Sequence, residues 1–97
     1  MKRYRISEKA FLDLENIWQY TNHKWSKEQA DRYYSLMIAE IEYISHHPDS
    51  GRDMHHIKAG YKVTKVKSHL IFYREGHDGL MEIIRILHEM MDIPNKL

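Results

Sequence analysis

Residues 61–87 read YKVTKVKSHLIFYREGHDGLMEIIRIL, and this stretch decides the fold. It contains three β-rich runs, at 61–66, 69–74 and 81–87. The first run alternates apolar and polar residues, the second is rich in aromatic and branched residues, and the third is apolar on both faces. The intervals between the runs carry the Ser, Gly and Asp of tight turns. We therefore expect three consecutive antiparallel strands, of which the last is covered on both faces.

Two amphipathic helices are predicted before these strands. Ser7 and Ser26 have the side chain of an N-cap, and each precedes a series of apolar residues at helical spacing. The first series is Ala10, Leu14 and Ile17, and the second is Ala30, Tyr34, Met37, Ile41 and Ile44. Residues 21–25 are expected to link the helices, and the Pro-Asp-Ser-Gly cluster at 48–51 to end the second. A short link between two amphipathic helices predicts an antiparallel αα-hairpin.

The order of the predicted elements indicates an α+β fold. A short strand at 3–6 precedes the helices, so the order is β-α-α-β-β-β. The N-terminal strand and the αα-hairpin are expected to pack on a C-terminal antiparallel sheet. The tail is expected to form one helical turn before Pro94. A chain of 97 residues has the size of one domain, so we expect a single domain over 1–97.

The composition excludes several classes of protein. No cysteine is present, so neither a disulfide nor a cysteine zinc site is possible. The longest apolar runs are far too short to span a bilayer, and no apolar signal-peptide core follows the basic N-terminus. We therefore expect a cytoplasmic protein that makes no membrane contact.

A series of basic residues lies between Met54 and Arg74, although the net charge of the chain is only +1. The interval contains no carboxylate, and its cations are Lys58, Lys62, Lys65, Lys67 and Arg74. Such a series suits an acidic partner or a phosphate backbone. It equally suits the solvated edge of a sheet, where Lys side chains oppose aggregation. The sequence leaves both interpretations open.

Six potential metal ligands crowd the loop after the second predicted helix. They are His46, His47, Asp49, Asp53, His55 and His56. Side chains of these types bind zinc or nickel. Adjacent histidines rarely converge on one ion without a rigid scaffold, so we favour a solvated loop and expect no metal and no cofactor.

Four residues on or beside the last two predicted strands are the candidates for chemistry. They are His69, Arg74, Arg85 and His88. If the strands pair as a hairpin, these side chains approach one another. A His beside an Arg suits acid–base catalysis on a phosphodiester, because the Arg stabilises the developing charge. The alternative, which we favour on spacing alone, is a cross-strand hydrogen bond beside a solvated Arg.

Five aromatic residues lie on or between the predicted helices: Trp18, Tyr20, Trp25, Tyr33 and Tyr34. Aromatic side chains stack on nucleic-acid bases. Such a set more often belongs to a core and its interfaces, and we expect it mainly in the core.

Several segments, taken in order, resemble the ParE branch of the RelE/ParE superfamily. They begin with Tyr4-Arg5-Ile6-Ser7, Ala10, Asp13-Leu14 and Ile17-Trp18-Gln19-Tyr20-Thr21, and continue with Trp25, Gln29-Ala30, Tyr33, Pro48 and Gly60-Tyr61-Lys62. The most specific are Ser68-His69-Leu70-Ile71-Phe72-Tyr73-Arg74 and Ile84-Arg85-Ile86-Leu87-His88, followed by Met91-Asp92. The resemblance covers nearly the whole chain and implies the same fold class.

The resemblance also implies a function. ParE-like proteins are toxins of type II toxin–antitoxin pairs; a cognate antitoxin, typically ParD, holds them inactive, and their usual target is DNA gyrase. RelE-like relatives instead cut messenger RNA on the ribosome and commonly carry a Tyr or His near the C-terminus. The tail at 88–97 contains no Tyr, which weakens the nuclease alternative, although His69, Arg85 and His88 keep it open. The resemblance therefore favours a gyrase-binding toxin that does no chemistry and meets nucleic acid only through its antitoxin or target. The alternative is a RelE-type mRNA endonuclease.

Two sets of site residues accompany this reading. The candidates for gyrase contact are His69, Arg74, Arg85, His88, Met90 and Met91. The candidates for antitoxin binding, by an acidic amphipathic tail lying along the αα-hairpin and the basic series, are Trp18, Tyr34, Met37, Lys58, Lys62 and Lys65. In the endonuclease alternative the catalytic residues are His69, Arg85 and His88.

Overall fold

Residues 3–97 are described by the computed structural model, and their elements follow the predicted order with two additions. The elements are β1 (Tyr4–Ile6), α1 (Glu8–Lys24), α2 (Lys27–His46), a 3₁₀ turn (Pro48–Ser50), β2 (Arg52–Asp53), β3 (Lys62–Val66), β4 (His69–Glu75), β5 (Met81–His88) and α3 (Ile93–Lys96). The strands form one sheet in the order β1-β5-β4-β3-β2. The predicted α+β class, with a helical hairpin on a sheet, is confirmed.

Both predicted helix caps are present. The Ser7 hydroxyl accepts a hydrogen bond from the Ala10 amide at 3.0 Å, and it donates to the carbonyl of Ile84 at 2.8 Å, which ties the start of α1 to β5. The Ser26 hydroxyl accepts from the Gln29 amide at 3.1 Å. Each cap satisfies an amide that the first helical turn leaves without a partner.

The link between the helices is shorter than the sequence predicts. Residues 21–24 continue α1, and the amide of Trp25 still donates to the carbonyl of Thr21 at 2.8 Å. The expected connection at 21–25 is therefore wrong for its first four residues. No Gly or Pro interrupts this stretch, so the helical hydrogen bonds continue until Ser26 caps the next helix.

The sheet is mixed because β1 pairs with β5 in parallel, whereas β2 to β5 pair with one another in antiparallel fashion. The two-residue strand β2 was not predicted, since so short a segment carries no periodicity.

The tail also differs from expectation. Its helical turn includes Pro94 near the start and does not end before it. Proline fits there because the first turn of a helix leaves its amides unbonded in any case.

Apolar side chains cover both faces of the sheet. On one face, α1 and α2 pack their buried residues against Ile71, Tyr73 and Ile83. On the other face, Phe72 and Leu87 are covered by the 54–61 loop and by residues of the tail. Strand β5 contributes to both clusters, with Ile83 and Ile86 on one face and Leu87 on the other, which explains why it is apolar on both faces. Within residues 3–97, no helix has the length and hydropathy needed to cross a membrane.

Candidate functional site

A groove lies where the junction of the two helices meets the ends of β4 and β5. The imidazoles of His69 and His88 line it, and its volume is about 710 Å³. These two residues are direct partners in the β4–β5 register, and their ring centroids lie 5.3 Å apart, edge to face. Strand pairing therefore brings together two of the four residues that the sequence singles out on these strands.

Tyr33 of α2 fixes the orientation of His69. The Tyr33 hydroxyl donates to the carbonyl of Val66 at 3.1 Å and lies 2.7 Å from Nδ1 of His69. Since a hydroxyl has a single proton, the bond to Val66 leaves Nδ1 of His69 as the donor to the Tyr33 oxygen. This assignment of the tautomer follows from the hydrogen-bond network. The Nε2 atom of His69 is then an acceptor.

His88 has the opposite tautomer. Its Nδ1 accepts the backbone amide of Met90 at 3.1 Å, so in the neutral ring the proton lies on Nε2. The two imidazoles therefore present one acceptor and one donor side by side along the groove.

Burial sets the ionisation of His69. Burial and, after it, the neighbouring His88 lower the pKa of His69 from 6.5 to about 4, whereas Asp13 and Glu89 act in the opposite direction. Desolvation disfavours the charged ring. At neutral pH His69 is thus uncharged, which keeps the Nε2 lone pair available as a base or acceptor.

Acidification is expected to destabilise the fold through His69. Its folded-state pKa is depressed, so between pH 6.5 and about 4 the unfolded chain binds a proton that the folded chain does not. The contribution to stability is fully present above pH 6.5 and is lost as the pH falls towards 4. Thermal unfolding across this interval measures it. The decline should be shallower in His69→Gln than in the exposed loop variant His77→Gln; equal declines would contradict the assignment.

Arg85 does not belong to the groove as a free cation. Its guanidinium donates to both carboxylate oxygens of Asp13, at 2.8 and 3.0 Å, and to the carbonyl of Lys96 at 3.1 Å. Asp13 also accepts the amide of Ile86 at 2.9 Å. The hydrogen bond to Asp13 raises the pKa of Arg85. The two side chains retain only 19% and 13% of their exposure. Arg85 therefore joins β5 to α1 and the tail, and its expected place beside the histidines as a charge stabiliser is wrong.

Arg74 lies at the other end of β4. Its Nε donates to Glu82 at 2.9 Å, and its guanidinium lies 5.8 Å from the centre of the Tyr61 ring. Glu82 also accepts from Arg5, which bonds Asp78 in turn. The four predicted residues therefore do not form one cluster, because four residues of extended strand lie between His69 and Arg74.

The basic series is largely neutralised by neighbours in the fold. Lys62 pairs with Asp49 at 3.1 Å, and Lys65 pairs with Glu89 at 2.9 Å. Lys58 donates to the carbonyl of Leu97. Lys67 differs, because it is exposed on the β3–β4 turn with a φ of 56° and has no ion pair in the part of the chain that the structure describes. The carboxylates absent from the interval in sequence are thus supplied by other segments.

The helical candidates for antitoxin contact differ in accessibility. Met37 is fully buried beneath the hairpin, so its prediction as a surface contact is wrong; the tight packing of α2 on the sheet leaves no open groove there. Trp18 and Tyr34 are half-buried, and the indole of Trp18 donates to Asp31 at 2.9 Å. The sequence analysis missed the exposed apolar side chains of the hairpin, which are Phe11, Leu12, Leu36 and Tyr43.

The aromatic set is less buried than expected. Trp25 and Tyr20 are 70% and 61% exposed on the rim of the groove, and Tyr33 is half-buried in its wall. The sequence analysis did not assign a role to Tyr33 or Asp13. The position of Asp13 could have predicted an ion pair. It follows Ala10 by three positions and so lies near the buried face of α1, where a carboxylate needs a partner.

The histidine-rich loop does not gather a set of ligands. His47 stacks on Tyr43 and bonds its carbonyl through Nδ1, while the amide of His55 bonds Asp53. Among residues 3–97, no three His, Asp or Glu side chains are placed to hold a metal ion together.

The fold has a close counterpart among solved structures. A chain described as part of the chromosomal ParDE TA system from P. aeruginosa superposes with a TM-score of 0.78, covering 91% of this chain and 96% of that one. Its sequence identity is 16%, so the likeness concerns the fold. The two chains thus share one fold.

Sequence comparisons define the family. The model for the ParE toxin of the type II toxin–antitoxin system parDE matches residues 4–93. Toxin ParE1 of Caulobacter vibrioides is 42% identical over 95% of this chain and 94% of its own length. Toxin ParE1 of Mycobacterium tuberculosis is 34% identical over 98% of this chain and 97% of its own length. Toxin ParE of Escherichia coli is 27% identical over the whole of this chain and 94% of its own. This chain belongs to the ParE toxin family.

Proposed function

We propose that this ParE-family toxin acts by binding and inhibiting DNA gyrase, and that a ParD-like antitoxin neutralises it. The observation that carries the first part is membership of the ParE family, whose model matches residues 4–93. The pairing of Arg85 with Asp13 agrees with this choice. Cleavage of a phosphodiester needs a cation to stabilise the developing charge, and Arg85 is held by two hydrogen bonds to a carboxylate. A nuclease would depend instead on Lys67, which lines the groove beside His69.

The surface that we assign to gyrase lies beside the groove. Met90 and Met91 are 84% and 45% exposed, directly after β5, and His88 precedes them. Exposed methionines adapt to a partner surface because their side chains are flexible and polarizable. Among the predicted contacts, these two are the most accessible apolar residues. Arg74 is exposed as well, but it is already paired with Glu82. Arg85 is paired with Asp13 and holds β5 against α1.

The surface that we assign to the antitoxin is the outer face of the hairpin. Leu12, Leu36 and Tyr43 expose between 41% and 55% of their surface there, and Trp18 and Tyr34 contribute their accessible parts. An amphipathic antitoxin segment that folds on binding must bury enough apolar area to offset its ordering. Lys58, Lys62 and Lys65 add charge for an acidic segment once their internal partners are displaced. We place both partners, and the whole domain 1–97, in the cytoplasm.

RNA cleavage is the second candidate, and the histidine pair favours it. A neutral His69 held by Tyr33, next to His88, has the arrangement of a general base beside a second proton-transfer group. Gyrase inhibition does not need this pair to transfer protons. The two functions therefore respond differently to loss of an imidazole.

A supercoiling assay with purified gyrase tests the proposal. The toxin should inhibit supercoiling or accumulate cleaved DNA without ribosomes, and the cognate antitoxin should restore activity. Met90→Asp should weaken inhibition by about tenfold, as expected for a residue at the centre of an interface, and Leu12→Asp serves as the matched control on the hairpin. Ribosome-dependent mRNA cleavage with unaffected gyrase, lowered by about 10²–10⁴ in His69→Gln, would contradict it.

A further inference from the structure

The groove continues beyond the histidines into a second concavity. Trp25, Tyr33 and Lys67 line both, and the second, of about 650 Å³, adds Arg32 and Leu36. Each concavity has the volume of a small-molecule site. The exposed side chain of Trp25 lines both concavities, so a ligand that spans both would contact it.

The charge of this joint groove is positive. Arg32 and Lys67 are its free cations, since neither forms an ion pair within residues 3–97. The one carboxylate of the lining, Asp13, is neutralised by Arg85. The groove therefore favours a ligand whose negative group lies near Lys67 and Arg32, and it disfavours a positively charged ligand.

The inner end of the groove is polar. His69 presents Nε2 as an acceptor and His88 presents Nε2–H as a donor, because their Nδ1 atoms are engaged by Tyr33 and by the Met90 amide. Adjacent donors and acceptors are the pattern found on the edges of nucleobases. Aromatic walls next to them offer stacking surfaces for a planar ring.

We propose that this groove binds a nucleoside phosphate, with its base between the aromatic rim and the histidine pair and its phosphate at Lys67 and Arg32. The base would stack on Trp25 or Tyr20 and bond the two Nε2 positions with its polar edge. Lys67 and Arg32 would provide charge-assisted hydrogen bonds to the phosphate. An aliphatic acid would leave the paired imidazole groups without complementary partners, and an uncharged aromatic ligand would leave both cations unused.

Titration calorimetry of the toxin, residues 1–97, with AMP, adenosine and inorganic phosphate tests the assignment. AMP should bind with a Kd of about 1 mM or tighter. Adenosine and inorganic phosphate should each bind at least about tenfold more weakly than AMP. The assay contains no gyrase, so its result is independent of the proposed target. If AMP binds no better than phosphate alone, the groove is not a nucleotide site.

Three variants locate the site. Trp25→Ala should weaken AMP binding by about tenfold through lost stacking. Lys67→Asn should weaken it about fivefold, and Asn tolerates the left-handed backbone at this position, so the turn is retained. Lys9→Asn removes an exposed cation of α1 outside the groove and should have no effect. Unchanged affinity in both groove variants, with circular dichroism confirming that they fold, would overturn the proposal.

Discussion

Replacing Arg85 by Ala is expected to destabilise the folded toxin by about 3 kcal/mol, because it leaves Asp13 as a largely buried carboxylate without its ion-pair partner. The pair joins residues 72 positions apart, and Asp13 keeps only the amide of Ile86 as a donor once the guanidinium is removed. Urea unfolding monitored by tryptophan fluorescence measures the change in the free energy of unfolding.

The control for this prediction is an exposed ion pair of the same sheet. Arg74 bonds Glu82 with its side chain 47% exposed, and Arg74→Ala should cost no more than about 1 kcal/mol. The double variant Asp13→Ala/Arg85→Ala should recover part of the loss, because it removes both charges together. A cost for Arg85→Ala as small as that of Arg74→Ala would show that the buried pair does not hold α1 to β5.

This result changes how toxicity assays are interpreted. A loss of toxicity in Arg85→Ala follows from a weakened fold, and it supports neither catalysis nor gyrase contact by this residue. The activity of any Arg85 variant should therefore be compared at temperatures where both proteins remain folded.

Met37→Asp is expected to abolish folding. Met37 is fully buried between α2 and the sheet, so the new carboxylate would be desolvated without a cation beside it. Burying an unpaired charge costs several kcal/mol, which is comparable with the whole stability of a small domain. Circular dichroism and gel filtration should show an unfolded or aggregated chain at neutral pH.

The neighbouring residue provides a matched control. Leu36 is 41% exposed on the same helix, and Leu36→Asp should reduce the free energy of unfolding by about 1 kcal/mol or less. It should leave the helix intact while weakening antitoxin binding. A folded Met37→Asp protein would mean that α2 does not pack on the sheet through this face.

Local signals in the sequence determined the elements. Ser7 and Ser26 cap their helices, the Lys67-Ser68 turn joins β3 to β4, and the apolar run at 81–87 is an inner strand. These features depend on neighbouring residues, since a cap lies three positions from its amide and a strand alternates with a period of two. That is why the order of the elements was predictable, whereas the pairing of His69 with His88 follows from a β4–β5 register that shifts between Phe72 and Tyr73.

Only the tertiary structure decided which polar groups are free. The sequence presents Lys62, Lys65, Lys67 and Arg85 as equivalent cations, yet three of them meet carboxylates from distant segments and Lys67 does not. It likewise shows Met37 and Leu36 as neighbours without revealing which one the sheet covers. Parallel pairing of β1 with β5 brings the start of α1 against the last strand, where Asp13 meets Arg85. Charge pairing depends on distance in space, which periodicity along the chain does not encode.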